Sequence, residues 1–368
     1  MDKIKRIILL RVPMSICNFK CNYCYLAQRD VSFENKQAEY KYSCEEVRKA
    51  LSKKRLGGPC YINICADGET LLAKNIVDYI YQLALEGHYI EIVTNLSATP
   101  VLNEIISWDK EILNHISFKC SFHFLELKRL GLLEVFSKNV NSIWNAGGSA
   151  TIEITPSDEL IPYINEVMEF SYANFGALPH LTIARDDNNQ KAYLTSLNEE
   201  EYNKVWSQFD SDFWKFKREI FGVKRKEYCY AGKWSLYVDL CTGETIQCYC
   251  SKFTQNIFEH PEKSIKFVAI GKCSDDHCYN GHALLTLGVI PGFTSYKYGD
   301  IRDRKTTSGK HWLSQSVLDF FNSTLEESNK TSNALTKTYD SLTLKLYRCS
   351  IIQKRICNKI IRTIKKSN

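Results

Sequence analysis

Cys17, Cys21 and Cys24 stand within eight residues, directly after the apolar run Ile7–Leu10 near the N-terminus. A loop with C-x3-C-x2-C spacing has to curl so that its three thiols face one point. Three thiolates can hold three corners of a cubane iron–sulfur cluster, which leaves the fourth iron open to a small molecule. Electron-transfer ferredoxins close all four positions with cysteine, so an open corner points to chemistry rather than electron carriage. The rival reading is half of a zinc site, where C-x2-C pairs are common. A second half of matching spacing would then follow within a few tens of residues, and none does.

The rest of the composition narrows the setting. A chain of 368 residues, 44% hydrophobic and 12% aromatic, has material for one large domain with a smaller companion, or for one elaborated barrel. No apolar run approaches the ~20 residues of a membrane span, and Ile7–Leu10 ends at Arg11, too short for a signal-peptide core. The expected location is the cytoplasm, where thiols stay reduced. Fifteen cysteines, an odd number, then read as metal ligands, catalytic thiols or buried small side chains rather than disulfides. The net charge of +6 is concentrated at one end: residues 342–368 carry eight basic side chains and no acidic one. The body is therefore slightly acidic and is not expected to bind nucleic acid.

Strand-like and helix-like stretches alternate from the N-terminus, which predicts parallel βα units. Strands are expected at 4–12, 61–66, 89–94, 116–122, 150–155 and 178–184, and helices at 76–85, 127–144 and 158–172. Six such units make an α/β fold, a partial (β/α)6 barrel. Function in such a barrel gathers at the carboxyl ends of the strands. Polar residues follow all six: the cysteine loop, Asp67-Gly68-Glu69, Thr94-Asn95, Ser121 to His123, Glu153 to Thr155, and Arg185-Asp186-Asp187. Thr155 and Asp158 also serve as plausible caps for the next helix.

At the cysteine loop the chain resembles the radical S-adenosylmethionine (SAM) enzymes, whose signature is C-x3-C-x2-C with an aromatic residue before the last cysteine; Tyr23 supplies it. The same partial barrel is that family's core fold. The resemblance implies a 4Fe–4S cluster on Cys17, Cys21 and Cys24 that binds SAM at its open iron, cleaves it reductively and releases a 5′-deoxyadenosyl radical, which takes a hydrogen atom from substrate. The run Asp67-Gly68-Glu69-Thr70 resembles the family's Gly-Gly-Glu-Pro segment, which meets the SAM amino group. Gly68 and Glu69 match, while Asp67 and Thr70 replace the first glycine and the proline. Thr94 and Asn95 are similar to the family's polar exit beside the methionyl or ribose groups, and Ser121 and Glu153 are ribose candidates by position.

Farther on, Cys229 and the run Gly243 to Cys248 give C-x13-G-x4-C, which resembles the opening of the auxiliary-cluster region of SPASM and Twitch radical SAM proteins. Cys273 and Cys278 complete four thiols, the count for one auxiliary iron–sulfur cluster, expected as 4Fe–4S. Cys250 is two residues past Cys248 and can substitute for it, Cys241 is a spare, and a four-cysteine zinc site is the rival. The implied division is a barrel over 1–215, an auxiliary region over 216–300 and a helical basic tail over 301–368.

The resemblance specifies a mechanism better than a substrate. Many peptide-modifying relatives carry an N-terminal recognition domain, for which a first cysteine at residue 17 leaves no room. The whole sequence also looks like radical SAM proteins of bacterial surface-polysaccharide pathways, which implies a small-molecule or carrier-linked sugar as substrate. Peptide modification remains the alternative enzyme reading, and a redox or scaffold protein without SAM cleavage the non-enzyme one. A flavodoxin or ferredoxin is the expected electron donor. Epimerisation needs a hydrogen-atom donor, for which Cys65 and Cys120 are candidates, although buried cysteine is ordinary packing. Dehydrogenation needs an electron acceptor instead. His277 and His282 are further candidates for substrate contact. In the tail, Leu346, Ile352, Ile356, Ile360 and Ile364 fall near helical spacing among basic residues, a pattern that suits peripheral contact with the inner membrane surface.

Overall fold

The computed structural model describes residues 2–29, 34–189 and 192–367. Six parallel strands lie side by side in chain order: β1 (Arg6–Val12), β2 (Cys60–Ala66), β3 (Tyr89–Thr94), β4 (Ile116–Ser121), β5 (Ser149–Ile154) and β6 (His180–Leu181). These are the strands of the expected partial barrel. A short antiparallel pair, β7 (Tyr228–Cys229) with β11 (Gly271–Lys272), stands apart. Between them in sequence, β8 (Ser235–Asp239) joins the free edge of β1 in parallel, and β9 (Glu244–Ile246) and β10 (Thr254–Asn256) follow antiparallel, making nine strands in one sheet among the described residues.

Register sorts the strand residues onto two faces. Ile8, Leu10, Ile62, Ile64, Ile90, Ile92, Phe118 and Cys120 join the core beneath the helices. Alternate positions turn inward. Low on the strands they are apolar (Ile7, Leu9, Tyr61, Tyr89) and pack against Leu284, Leu287, Phe320 and Phe321 of the C-terminal half. Higher up they are polar: Arg11, Asn63, Glu91, Lys119 and Glu153. The C-terminal segments thus plug the bottom of the open barrel and leave a polar upper interior.

The expected helix over 127–144 is two helices, Phe124–Arg129 and Leu133–Asn145. Gly131, at φ 69°, ends the first: its N–H donates to the Lys128 carbonyl (3.2 Å) and the Leu132 N–H to the Leu127 carbonyl (2.8 Å), the Schellman pattern. The helix expected from 158 opens as a 3-10 turn containing Pro162 and becomes α-helical over Ile164–Phe175. β6 is two residues long instead of seven. Its single neighbour, β5, runs on into Thr155-Pro156, and proline has no N–H with which to extend the ladder.

The tail forms helices Gln315–Asn322, Leu325–Ser328 and Ala334–Ser367. The long helix is pinned by Asp340, buried against Tyr228 Oη (3.3 Å) and Lys233 Nζ (3.6 Å), and by Tyr347 Oη on Thr254 Oγ1 (2.6 Å). The side chains of Ile356, Ile360 and Ile364 lie outside the described ones. Among the described residues no helix is long and apolar enough to cross a membrane.

Candidate functional site

Two cavities open at the carboxyl ends of the strands. The smaller, about 530 Å³, has Cys17, Cys21, Cys24 and Tyr23 on its wall, with Gly68, Glu69, Thr94, Asn95 and Ser121 from the strand exits. The larger, about 740 Å³, is lined by Arg11, Asn63, Lys119, His282 and the rings of Tyr25, Tyr237, Tyr249 and Tyr279. Cys65, Asp67, Val93 and Arg185 line both, so the two spaces meet there.

The cysteine loop is braced from three sides. The Lys20 N–H donates to Glu126 Oε2 (2.8 Å), and the Cys24 N–H to the Cys21 carbonyl (3.2 Å). The Tyr23 hydroxyl meets His123 Nδ1 at 2.7 Å, and burial pushes His123 down to about 4, so the imidazole is neutral near pH 7. Burial also raises the Cys17 thiol, and raises Cys21 to about 12, with the neighbouring cysteines adding to both. Three thiols on one cavity wall fit a cationic metal centre, which would stabilise all three as thiolates. Cys65 also faces this cavity, but its charged neighbours are Lys119, Asp67 and Glu69 rather than the three cysteines.

Gly68 is the hinge between this loop and β2. Its backbone runs so close to Ile16 that a Cβ there would lie 2.8 Å from the Ile16 carbonyl carbon and nearer still to the oxygen. That closeness lets the Glu69 N–H donate to the Ile16 carbonyl (2.8 Å), one residue before Cys17. The Glu69 carboxylate, almost fully buried, accepts from Thr94 Oγ1 (2.5 Å), Asn95 N–H (2.6 Å) and Leu71 N–H (3.0 Å). Burial moves it above the usual carboxylate range and these three donors oppose the shift. Leu96 completes the turn with φ 57°, unusual for a side chain of its size. Its carbonyl accepts from Asn139 Nδ2 (2.9 Å) and its N–H donates to Thr94 Oγ1 (2.9 Å).

Other expected residues divide between the cavities and the core. Asp67 turns to Arg11, accepting from Nε at 2.9 and 3.1 Å, and so faces the larger cavity. Glu153 is bound to the buried Arg302 and to Lys119 Nζ (3.1 Å). Against its burial, these cations and Lys217 hold Glu153 down to about 2. Of the two thiol candidates, Cys65 reaches both cavities, and burial raises it to about 11. Cys120 is fully buried in the core under the helices, its Sγ against the Phe118 carbonyl. His282 lines the larger cavity with Nε2 3.3 Å from Lys119 Nζ, while His277 lies with the second cysteine group.

That group converges. Cys229, Cys248, Cys250, Cys273 and Cys278 line one small enclosed space, together with Tyr249 and Tyr279, which also face the larger cavity. The sulfurs of Cys250 and Cys273 are 3.8 Å apart, and Asp275 brings a carboxylate within 4.8 Å of both. Burial raises Cys229 to about 12 and pushes Cys278 well above its ordinary value. Five half-buried thiols around one space suit a soft metal centre. Cys241 lies elsewhere, in the core under the helices.

Sequence reading missed Lys119, Lys217, Arg302 and the four tyrosines. Lysine at the end of a buried strand was the one available signal, since Lys119 sits between Phe118 and Cys120 where an apolar residue is expected.

No protein-family model matches this chain, and no curated protein is similar to it. Solved structures are similar in fold. SuiB of Streptococcus suis, bound to S-adenosylmethionine, is 13% identical with a TM-score of 0.46, covering 70% of this chain and 64% of its own. This chain therefore spans under two thirds of SuiB. The protein anSMEcpe, with AdoMet and the Cp18Cys peptide bound, is 15% identical with a TM-score of 0.49, covering 69% and 78%. BtrN, in complex with AdoMet and 2-DOIA, is 14% identical with a TM-score of 0.32, covering 71% and 77%.

Proposed function

We propose that the chain is a radical SAM enzyme that takes a hydrogen atom from a carbohydrate or polyol on the way to surface polysaccharide. The observation that carries it is the single cavity that collects Cys17, Cys21 and Cys24 with Gly68, Glu69, Thr94 and Asn95. A 4Fe–4S cluster and SAM, when bound there, supply a 5′-deoxyadenosyl radical at the cost of one electron from a flavodoxin- or ferredoxin-type donor. The chain's own contribution is placement. Gly68 holds the cysteine loop against β2, Glu69 offers a carboxylate to an ammonium, and Asn95 and Ser121 face the ribose.

The larger cavity is read as the substrate's. Four tyrosines on its wall suit the C–H side of a sugar, and Asn63, Asn280 and Arg11 suit its hydroxyls. Cys65, which lines both cavities, is read as the thiol that returns a hydrogen atom to a substrate carbon radical. That step gives epimerisation and leaves a thiyl radical, which one electron and one proton restore. Dehydrogenation is the other outcome; the substrate radical would then lose a proton to solvent and an electron to a second cluster, which Cys229, Cys273 and Cys278 would hold with Cys248, or with Cys250 in its stead. Deuterated water separates them, since epimerisation places deuterium at the inverted carbon and dehydrogenation removes two hydrogens from the substrate mass.

The tail helix is read as a contact with an anionic membrane surface on the cytoplasmic side. Leu335, Tyr339 and Leu346 are 81%, 66% and 70% exposed, and the basic residues follow them. Co-sedimentation with anionic but not neutral vesicles, abolished by truncation at residue 333, is the expected result.

The deciding experiment compares oxygen-free wild type with Cys17/Cys21/Cys24→Ala for iron, sulfide and SAM cleavage. Wild type is expected to hold ~8 irons and the variant ~4, with 5′-deoxyadenosine from wild type only. Release of 5′-deoxyadenosine by neither protein makes the chain a redox or scaffold protein. A variant without iron returns the second cysteine group to zinc or packing.

A further inference from the structure

Four cations gather around Glu153 on one side of the barrel interior, while the other inward carboxylate, Glu91, lies beyond Arg302 among Tyr61, Asn63 and Tyr298. Lys119 comes from β4, Arg302 from the segment that plugs the barrel, Arg185 from the exit of β6, and Lys217 from the helix Asp212–Ile220. The charges that act most strongly on Lys217 are one carboxylate, Glu153, and three cations, Lys119, Arg302 and Arg185. Glu153 is already bound to Arg302 and Lys119, and Arg185 is paired with Asp187 through one terminal nitrogen (3.0 Å). Lys217 Nζ has the Thr182 hydroxyl as a hydrogen-bond partner, and the buried Arg185 Nε meets no acceptor among the described residues. Burial first, then the three cations, push Lys217 down to about 7 despite Glu153.

These groups border the open spaces. Arg185 lines both cavities, Lys119 the larger, Lys217 the smaller, and a crevice of about 60 Å³ bordered by Arg185, Lys217 and His282 adjoins them. An anion placed there would offset the charge of Lys217 and its cationic neighbours and accept from the guanidinium N–H; the hydroxyl of a neutral sugar accepts the bond but leaves the charge as it is.

We propose that Lys119, Lys217 and Arg185 form an oxyanion subsite, where the two cavities meet, that holds a carboxylate or phosphate carried by the substrate. This rests on the reading of the larger cavity as the substrate's. It narrows the substrate to an anionic one, such as a sugar phosphate or a uronic acid. SAM brings a carboxylate of its own, but in the proposed reading SAM would be held at the cysteine end of the smaller cavity, by Glu69 and Asn95.

The test is lysine acetylation, read by mass spectrometry, on the full chain reconstituted without oxygen and saturated with SAM. Inorganic phosphate is the probe, against chloride at equal ionic strength. With labelling at about pH 6, where most Lys217 is protonated, a phosphate that makes its proton about tenfold harder to lose is expected to slow its acetylation roughly tenfold. Lys119 is expected to slow with it, and Lys138, 77% exposed, to stay unchanged. Arg185→Gln and, separately, Lys119→Met are expected to weaken the protection of Lys217. Equal labelling in phosphate and chloride overturns the subsite. Protection complete with SAM alone, to which phosphate adds nothing, also overturns it, by giving the cations to the SAM carboxylate. SAM cleavage measured on the same samples keeps the two ideas apart. Cleavage without phosphate protection sinks the subsite alone, and protection without cleavage sinks the radical reading while the anion site stands.

Discussion

Gly68→Ala tests whether the strand exit and the cysteine loop are one unit. A methyl at residue 68 meets the Ile16 carbonyl carbon at 2.8 Å and its amide nitrogen at 3.0 Å, with the oxygen closer. These are backbone atoms, so no side-chain rotation relieves the clash. Ile16 has to move, and with it the hydrogen bond from Glu69 N–H to the Ile16 carbonyl is lost. Overpacking costs about 1–3 kcal/mol and the buried backbone bond about 1 kcal/mol more, for a loss of roughly 2–4 kcal/mol. Cys17 is the next residue, so the displacement enters the metal-binding loop directly. The assay pairs a urea denaturation midpoint with iron content per chain after oxygen-free reconstitution. The variant is expected to be less stable by that amount and to lose iron at the Cys17 site while keeping the iron that a Cys17/Cys21/Cys24→Ala protein retains. Wild-type stability together with full iron would refute the coupling of Gly68 to the loop.

The remaining predictions concern groups away from that contact. His88 is fully buried, accepting at Nδ1 from the Cys60 N–H (3.1 Å) and donating from Nε2 to the Leu51 carbonyl (2.7 Å), and burial lowers it to about 4. The unfolded chain takes up this proton below about 6.5 and the folded one does not, so stability is full above that pH and falls as pH drops towards 4, by about 3 kcal/mol. Denaturant titrations of wild type and His88→Gln between pH 4 and 7 check this; equal slopes for both would rule His88 out. Arg302→Met strips Glu153 of its buried partner and is expected to cost about 3–5 kcal/mol, whereas the double variant with Glu153→Gln recovers part of it, and additivity of the two would show no coupling. Cys250→Ala is expected to lower iron at the second site, because its sulfur lies 3.8 Å from that of Cys273; unchanged iron would leave Cys250 a packing residue and Cys248 the ligand.

Much of the architecture is local and therefore readable. β3 and the helix Ile76–Leu85 occupy the residues their periodicity indicates, because apolar runs bounded by turn residues carry their own signal. The C-x3-C-x2-C loop and the Gly68-Glu69 pair are also local, since each acts through neighbours in the chain. Cys65 and Cys120 show where this stops. Strands buried on both faces read as nearly continuous apolar runs, so the sequence does not say which alternate positions turn inward. Tertiary packing made that decision, sending Cys65 to the cavities and Cys120 to the core. The charged group is more distant still: Lys119, Glu153, Arg185, Lys217 and Arg302 span half the chain and meet only because the barrel strands, the helix Asp212–Ile220 and the segment carrying Arg302 close on one interior. A sequence by itself determines what can be specified by near neighbours, namely the strands, the caps and the metal-binding loop. Charge balance in a shared low-dielectric interior is a sum over residues brought together from afar, and only the folded arrangement decides it.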